Sequence, residues 1–288
     1  MTLNSVFIGL VSHSKSTFPE SQGPSGLAAE LIESFAQLGV KCQIQINTRD
    51  FFDENSFPIT SAMARASIRE EIRLESQWSS FLGRADRVRE IKRIAGRYGK
   101  FAISWRENSQ PSELRRLLNI EYSHVDLYRS AVELGSDWAL ILEDDAAGAD
   151  VDGLTRGLVD LFQSKIQPKY INLSASFPLV ALGVQHLLTI NSTAQWKGSQ
   201  ARIVYQSERP ATNTVCAIAF RTEFLSQILA DFDSQPTSSS EPVVPIDWKL
   251  NASLMRLWEK GAIESNECWF VEPAPIIQLS MVQDRAGN

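Results

Sequence analysis

Trp138-Ala139-Leu140-Ile141-Leu142 runs directly into Glu143-Asp144-Asp145, and the reading of this stretch decides the fold. Five consecutive apolar residues bounded by polar ones read as a strand buried on both faces. Such a strand belongs to an α/β sheet with helices above and below it. Three carboxylates immediately behind the strand repel one another, and something must offset that repulsion. In open α/β sheets, ligands collect beyond the C-terminal ends of the strands. Alternate side chains of an extended segment face opposite ways, so Glu143 and Asp145 are expected on one face and Asp144 on the other. Two carboxylates with room for water and phosphate oxygens suit Mg²⁺ or Mn²⁺. Such an ion acts as a Lewis acid on a departing diphosphate. The competing reading is a solvated acidic loop, and the abutting apolar strand favours the metal.

Outward from this strand the chain alternates in type. Upstream, Glu121 to Leu134 has helical periodicity and ends at Gly135. At the start of the chain, Val6 to Val11 reads as a buried strand opening into Ser12-His13-Ser14-Lys15. Leu27, Leu31, Phe35 and Leu38 then recur at helical spacing, Gly39 sits where a cap belongs, and Lys41 to Asn47 alternates like a strand. Strand, helix, strand opens a βαβ unit. Downstream, a helix precedes the strand Tyr170-Ile171-Asn172-Leu173. An irregular middle leads to an apolar strand over Thr214 to Phe220, with a helix to about Asp231. Residues 235–242 read as a flexible loop too short to separate domains, and no internal repeat is visible. One domain over 1–288 is expected, with a helical insertion at about 53–118.

That insertion holds most of the positive charge. Between Ser61 and Leu118 there are 13 basic and seven acidic residues, a surplus of +6 in a chain whose net charge is −6. A solvated helical face laced with Glu–Arg pairs around Glu71, Arg73 and Glu75 is the plainer account. The sharper one is a surface for anionic lipid headgroups or diphosphates, which would give segment 61–118 a peripheral membrane contact. Nucleic acid is a poorer partner, because the chain is acidic and no aromatics interleave with the basic residues.

Several chemistries are disfavoured by what is missing. There is no P-loop and no Gly-x-Gly-x-x-Gly, which weakens kinase, ATPase and dinucleotide-dehydrogenase readings. His13, His124 and His186 are far apart and no Gly-x-Ser-x-Gly occurs, so a hydrolase triad has little support. Cys42, Cys216 and Cys268 form no Cys-x-x-Cys pair, which fits a reducing compartment; Cys216 reads as a buried inert thiol inside its strand. The apolar stretch Phe177 to Ile190 is too short to span a bilayer, and no basic residue precedes the N-terminal apolar run as in a signal peptide. The chain therefore reads as cytoplasmic.

Asn119-Ile-Glu-Tyr-Ser-His124, a helix, and then Ala139 to Ala146 together resemble the core of glycosyltransferase family 25, which includes lipooligosaccharide-type sugar transferases and collagen galactosyltransferases. The shared pattern is Ser-His at a helix start, an aromatic four residues on (Tyr128 here), and a strand ending in Glu-Asp-Asp. Thr212 to Phe220, Pro245-Ile-Asp-Trp248 and Pro273-Ala-Pro-Ile-Ile-Gln278 extend the likeness in consistent order, so it covers roughly 119–280. Residues 1–118 do not show the family's usual opening.

The resemblance implies a GT-A-like, Rossmann-like sheet that is mixed but mostly parallel, and a nucleotide-sugar donor, a UDP-sugar first. It further implies an inverting transfer to a saccharide or lipid-linked acceptor, in polysaccharide or glycolipid biosynthesis, with Mn²⁺ or Mg²⁺ held by the acidic triplet. Asp145 and Glu143 are then the metal ligands, Glu143 also reaching the donor. Asp144 binds backbone or donor sugar and is grouped with the catalytic residues. Asp247 contacts the acceptor or serves as general base, beside a Trp248 ring suited to sugar C–H surfaces; a helix N-cap is the plainer account of it. His124 either is a buried structural histidine or orients the acidic loop or the donor diphosphate, while Ser123 caps or packs. Ser12 and His13 fall where GT-A proteins receive the nucleotide base, by fold analogy alone. Gln278 is the last donor-site candidate. The alternatives are a nucleotidyltransferase, which ordinarily brings a Gly-rich phosphate loop that Ser12 to Lys15 lacks, and a non-catalytic sugar- or lipid-binding scaffold.

Overall fold

The computed structural model describes residues 3–12, 24–47, 52–53, 55–79, 88, 92, 110–148, 150–165, 168–174, 190–196, 202–207, 210, 212, 214–234 and 242–279. The chain is α/β. In order come β1 (Ser5–Val11), α1 (Pro24–Gln37), β2 (Lys41–Asn47), α2 (Ser61–Ser79), α3 (Gln110–Leu134), β3 (Trp138–Glu143) and β4 (Ala146–Gly148). Then follow α4 (Val151–Phe162), β5 (Tyr170–Asn172), β6 (Ile190–Trp196), β7 (Arg202–Ser207), β8 (Ala217–Arg221), α5 (Thr222–Asp233), α6 (Ile246–Glu259), β9 (Cys268–Glu272) and β10 (Ile276–Gln278). Eight strands form one mixed sheet in the order β2-β1-β3-β8-β5-β9-β7-β6, and β10 pairs with β4 in a small second one.

The sheet is mixed in a particular way. β2, β1 and β3 are mutually parallel, as are β5 and β9. β8 is antiparallel to both β3 and β5, and β7 is antiparallel to both β9 and β6. Only β8 and β7 are therefore reversed against the rest, so the strands are mostly codirectional although antiparallel ladders are frequent.

Side-chain alternation divides the core into two layers. Trp138, Leu140 and Leu142 join Val6, Ile8 and Leu10 beneath α1 and α4. Ala139 and Ile141 join Phe7 and Val11 beneath α3, α5 and α6. Gly9 lies in the second row, where a Cβ would stand 2.8 Å from Ile141 Cδ1, 2.9 Å from Phe7 Cε1 and 3.3 Å from Leu127 Cβ. A larger residue there would force the tips of Ile141 and Phe7 to move and crowd Leu127 of α3. Asp137 closes the other end of β3 by accepting hydrogen bonds from the backbone N–H groups of Asn4 (2.7 Å) and Ser5 (3.0 Å).

Four expectations need correction. The helix read from Glu121 begins at Gln110, because Leu114 and Leu118 have apolar partners of their own in Met63, Ala64 and Val243. Ser123 and His124 are thus in mid-helix, and the last residues of the supposed insertion belong to a core helix. The supposedly irregular middle contains the hairpin β6–β7, whose polar residues (Asn191, Ser192, Thr193, Gln195) hid the pattern. The strand read from Thr214 starts at Ala217, since Thr214 accepts a hydrogen bond from Cys216 N–H and bends the chain; Cys216 therefore precedes the strand. Pro245 to Trp248 opens α6, and the N-cap is Pro245 rather than Asp247, which lies inside the first turn.

Around the basic segment, Arg73 pairs with Glu70, at 2.7 Å and 2.5 Å. Most of residues 80–109, and with them Arg84, Arg87, Arg89, Arg93, Arg97, Lys100 and Arg106, lie outside the described residues, as does most of the stretch 177–190. Among the described residues no helix is long and apolar enough to cross a membrane.

Candidate active site

Parallel register brings distant residues to one edge of the sheet. Val11 is level with Asn47 of β2 and with Glu143 of β3, so Ser12 and the acidic turn project from the same end. β8 runs the other way, which places the segment before it at that end as well; Glu143 N–H donates to the carbonyl of Cys216 at 2.8 Å. Ser174, after β5, accepts from Ala217 N–H at 3.1 Å. Gln278 is the register partner of Ala146, and Leu279 N–H donates to the Asp145 carbonyl at 2.9 Å. The closing segment is thereby fastened to the acidic turn.

Glu143, Asp145 and Cys216 gather here, each offering a ligand atom within 4.8 Å of the other two. The two carboxylates meet as expected, but for a different reason. Asp144 and Asp145 form a turn rather than an extended strand, and the turn folds Asp145 back into a buried position. Asp144 stays half-buried in that turn, outside the group. The Cys216 thiol donates to Asp145 Oδ1 at 3.5 Å. Burial, then the charges of Asp145 and Glu143, push that thiol well above its ordinary pKa, so in the metal-free chain it is neutral. A pair of carboxylates beside a protonated thiol fits a hard divalent cation, with the carboxylate oxygens as ligands.

Glu143 follows Ala139 and Ile141 in the row facing α3, and this parity delivers its carboxylate to that helix. His124 Nε2 lies 3.1 Å from Glu143 Oε1, and the Tyr128 hydroxyl lies 3.3 Å from His124 Nδ1. Both His124 and Tyr128 have no exposed surface. Ser123 is also buried; its carbonyl accepts a hydrogen bond from Asn47 Nδ2 at 3.1 Å, tying α3 to the end of β2.

Asp247 comes to the same end from α6. It is not a cap, but its Oδ1 accepts from the N–H of Trp248 at 2.9 Å and so satisfies one donor of the first helical turn. Burial raises its carboxyl to about 6 against the lowering effect of that bond, and the charge of Glu143 adds to the rise. Asp247 is therefore within electrostatic reach of the acidic turn.

Sequence reasoning did not find the polar network that holds these parts together. Asn172 Nδ2 donates to Thr212 Oγ1 (2.9 Å) and the Thr214 carbonyl (2.9 Å), and Thr212 exchanges hydrogen bonds with Asn251, one turn along α6 from Asp247. Thr212, Thr214, Asn172 and Asn251 are all buried. The segment carrying Cys216 is thus bolted to the helix carrying Asp247. Ser12 is half-buried beyond Val11, and His13 lies outside the described residues.

A separate cavity of about 180 Å³ opens at the opposite end of β3, lined by Leu3, Ser136, Asp137, Trp138, Phe162, Arg221 and Glu223. Its Asp137 carboxylate is already engaged by two backbone N–H groups. No protein-family model matches the chain, and no curated protein matches it.

Proposed function

We propose that the chain is a metal-dependent glycosyltransferase of GT-A type that moves a sugar from a nucleotide-diphosphate donor, a UDP-sugar first, to a hydroxyl of a saccharide or lipid-linked acceptor. The observation that carries this reading is the meeting of Glu143, Asp145 and a charge-coupled Asp247 at one end of the sheet. Glu143 and Asp145 would hold Mn²⁺ or Mg²⁺, which when bound supplies Lewis-acid stabilisation of the departing diphosphate. Asp247 supplies the complementary chemistry. With its carboxyl at about 6, it is ionised at neutral pH yet basic enough to take the acceptor hydroxyl's proton as the new bond forms. Trp248, its neighbour in the first turn of α6, offers an aromatic surface to the acceptor ring. Ser12 and Gln278 stand on the donor side by their place at the sheet end. The three cysteines, none in a disulfide, fit a reducing, cytoplasmic setting, where nucleotide sugars are also available.

The test uses purified protein with a panel of nucleotide sugars, with and without Mn²⁺, and scores released nucleoside diphosphate. Metal-dependent release that Asp145→Asn abolishes, with an unchanged circular dichroism spectrum, supports the reading. Equal release by the variant removes the metal role, and pyrophosphate as the product would move the assignment to nucleotidyl transfer.

A further inference from the structure

The carboxylate nearest to α3 is held by a chain of two buried side chains that proton abstraction and donor binding do not use. A carboxylate only accepts hydrogen bonds, so the 3.1 Å contact between His124 Nε2 and Glu143 Oε1 requires the hydrogen on Nε2. Nδ1 then faces the Tyr128 hydroxyl at 3.3 Å. Burial, reinforced by the charge of Glu143, drives the phenol pKa upward, so this hydroxyl keeps its proton and can donate to Nδ1. The three groups alternate donor and acceptor along one line from the core to the acidic turn. The i, i+4 spacing of His124 and Tyr128 on α3 keeps the two rings adjacent, with centroids 5.7 Å apart. Tyr128 is wedged in turn edge-on against Phe220 of β8, at 5.4 Å.

We propose that Tyr128 and His124 are positioning residues for the candidate metal centre: the phenol fixes the imidazole, and the imidazole fixes Glu143 through Oε1, leaving its other oxygen and Asp145 to the cation. This rests on the metal reading given above. A flexible glutamate at a strand end would otherwise sample several rotamers, and each cation bound would have to order it. Outer-sphere hydrogen bonds of this kind commonly govern metal affinity by about 10–100-fold.

The experiment measures Mn²⁺ binding directly, by electron paramagnetic resonance of free Mn²⁺, with no donor or acceptor present. Gln carries an amide N–H where His places Nε2, whereas Asn reaches only as far as Nδ1. His124→Gln is therefore expected to bind Mn²⁺ nearly as well as the parent chain. His124→Asn should bind about 10–100-fold more weakly, and Tyr128→Phe should fall between them. Thermal melts identify which variants are folded, and nitrogen-15 shifts of His124 in the metal-free parent chain are expected to report a protonated Nε2 and a bare Nδ1. Equal affinity of the Gln and Asn variants overturns the positioning role while leaving the metal reading intact, as does a bare Nε2 in the resonance spectrum. A parent chain that binds no Mn²⁺ overturns the metal reading, and the proposal with it.

Discussion

Asp247 concentrates the conflict between stability and chemistry at a single residue. Its carboxyl is raised from the usual 3.8 to about 6, chiefly by burial. Between those values the native chain binds more protons than the unfolded one, so stability falls as pH rises through the window and levels off above it. Asp247→Asn should flatten that decline, and urea midpoints measured at pH 4, 5, 6 and 7 would show it; an unchanged slope would mean that the burial is relieved in solution. In the proposed transfer the same carboxyl would set the rate: a general base must be ionised, so on that reading transfer should rise with pH and reach half its plateau near 6, with the Asn variant reduced by about 10²–10⁴-fold. Glu143, Asp145 and Asp247 were legible as candidates because a carboxylate beside an apolar run has few structural excuses. Cys216 was not, since a buried thiol looks like any small apolar residue until Asp145 is seen 3.5 Å away. Asn172, Thr212 and Asn251 were equally hidden. Their significance lies in bonds to partners about 40 residues away, and nothing in local pattern announces such a bond.

Elements were legible where period and punctuation agreed. β2 matches its expected range of Lys41 to Asn47, and Gly39 and Gly135 close α1 and α3 with φ of +75° and +65°, as helix-ending glycines do. The polar hairpin β6–β7 was lost because its strands show no clean apolar alternation. Two predictions concern how elements pack. Gly9→Ala would put a methyl into the tips of Ile141 and Phe7 and close against Leu127 Cβ of α3; a loss of about 1–3 kcal/mol is expected from chemical denaturation, and a neutral effect would show that the two side-chain tips give way freely. The second concerns α5 and α6, braced by Arg256, which meets Asp231 through Nε at 3.0 Å and Nη2 at 2.6 Å. Burial alone would raise the Asp231 carboxyl, but the hydrogen bonds and charge of Arg256 win and lower it. The pair is asymmetric, with Asp231 2% and Arg256 29% exposed. Arg256→Ala takes the guanidinium from a buried carboxylate whose other cation, Lys260, stands farther off at 3.5 Å, whereas Asp231→Ala leaves a guanidinium that can turn to water. The arginine variant should lose about 2–3 kcal/mol, and the aspartate variant about 1 kcal/mol. The reverse order in urea titrations would contradict the assigned burial.

At the scale of the whole molecule the unreadable part was strand order. β3 neighbours β8, and β5 neighbours β9, across gaps of many residues, so no local pattern could say that Cys216 would stand beside Glu143. Yet the consequence of that order is a gathering of carboxylates at one edge of the sheet, where Glu143 and Asp145 lie within 4.8 Å of each other and the charge of Glu143 raises the Asp247 carboxyl; such repulsion between like charges costs the ligand-free chain stability. A cation that binds only the folded arrangement relieves the repulsion and adds its own binding free energy to stability. With Mn²⁺ and a nucleoside diphosphate each near 100 times its dissociation constant, each contributes about 2.7 kcal/mol by mass action. For a chain of this size that corresponds to a melting temperature raised by roughly 5–10 °C for the pair. The order of addition is informative: Mn²⁺ alone should give part of the shift, the nucleotide alone little, and both together the full amount. Asp145→Asn should remove the repulsion along with the ligand, so its ligand-free form should melt no lower than the parent chain while losing the Mn²⁺ response altogether. Thermal melts of both proteins across the four ligand combinations check each of these outcomes. A parent chain whose melting temperature ignores Mn²⁺, or a variant that still responds to it, would place the cation somewhere other than this edge.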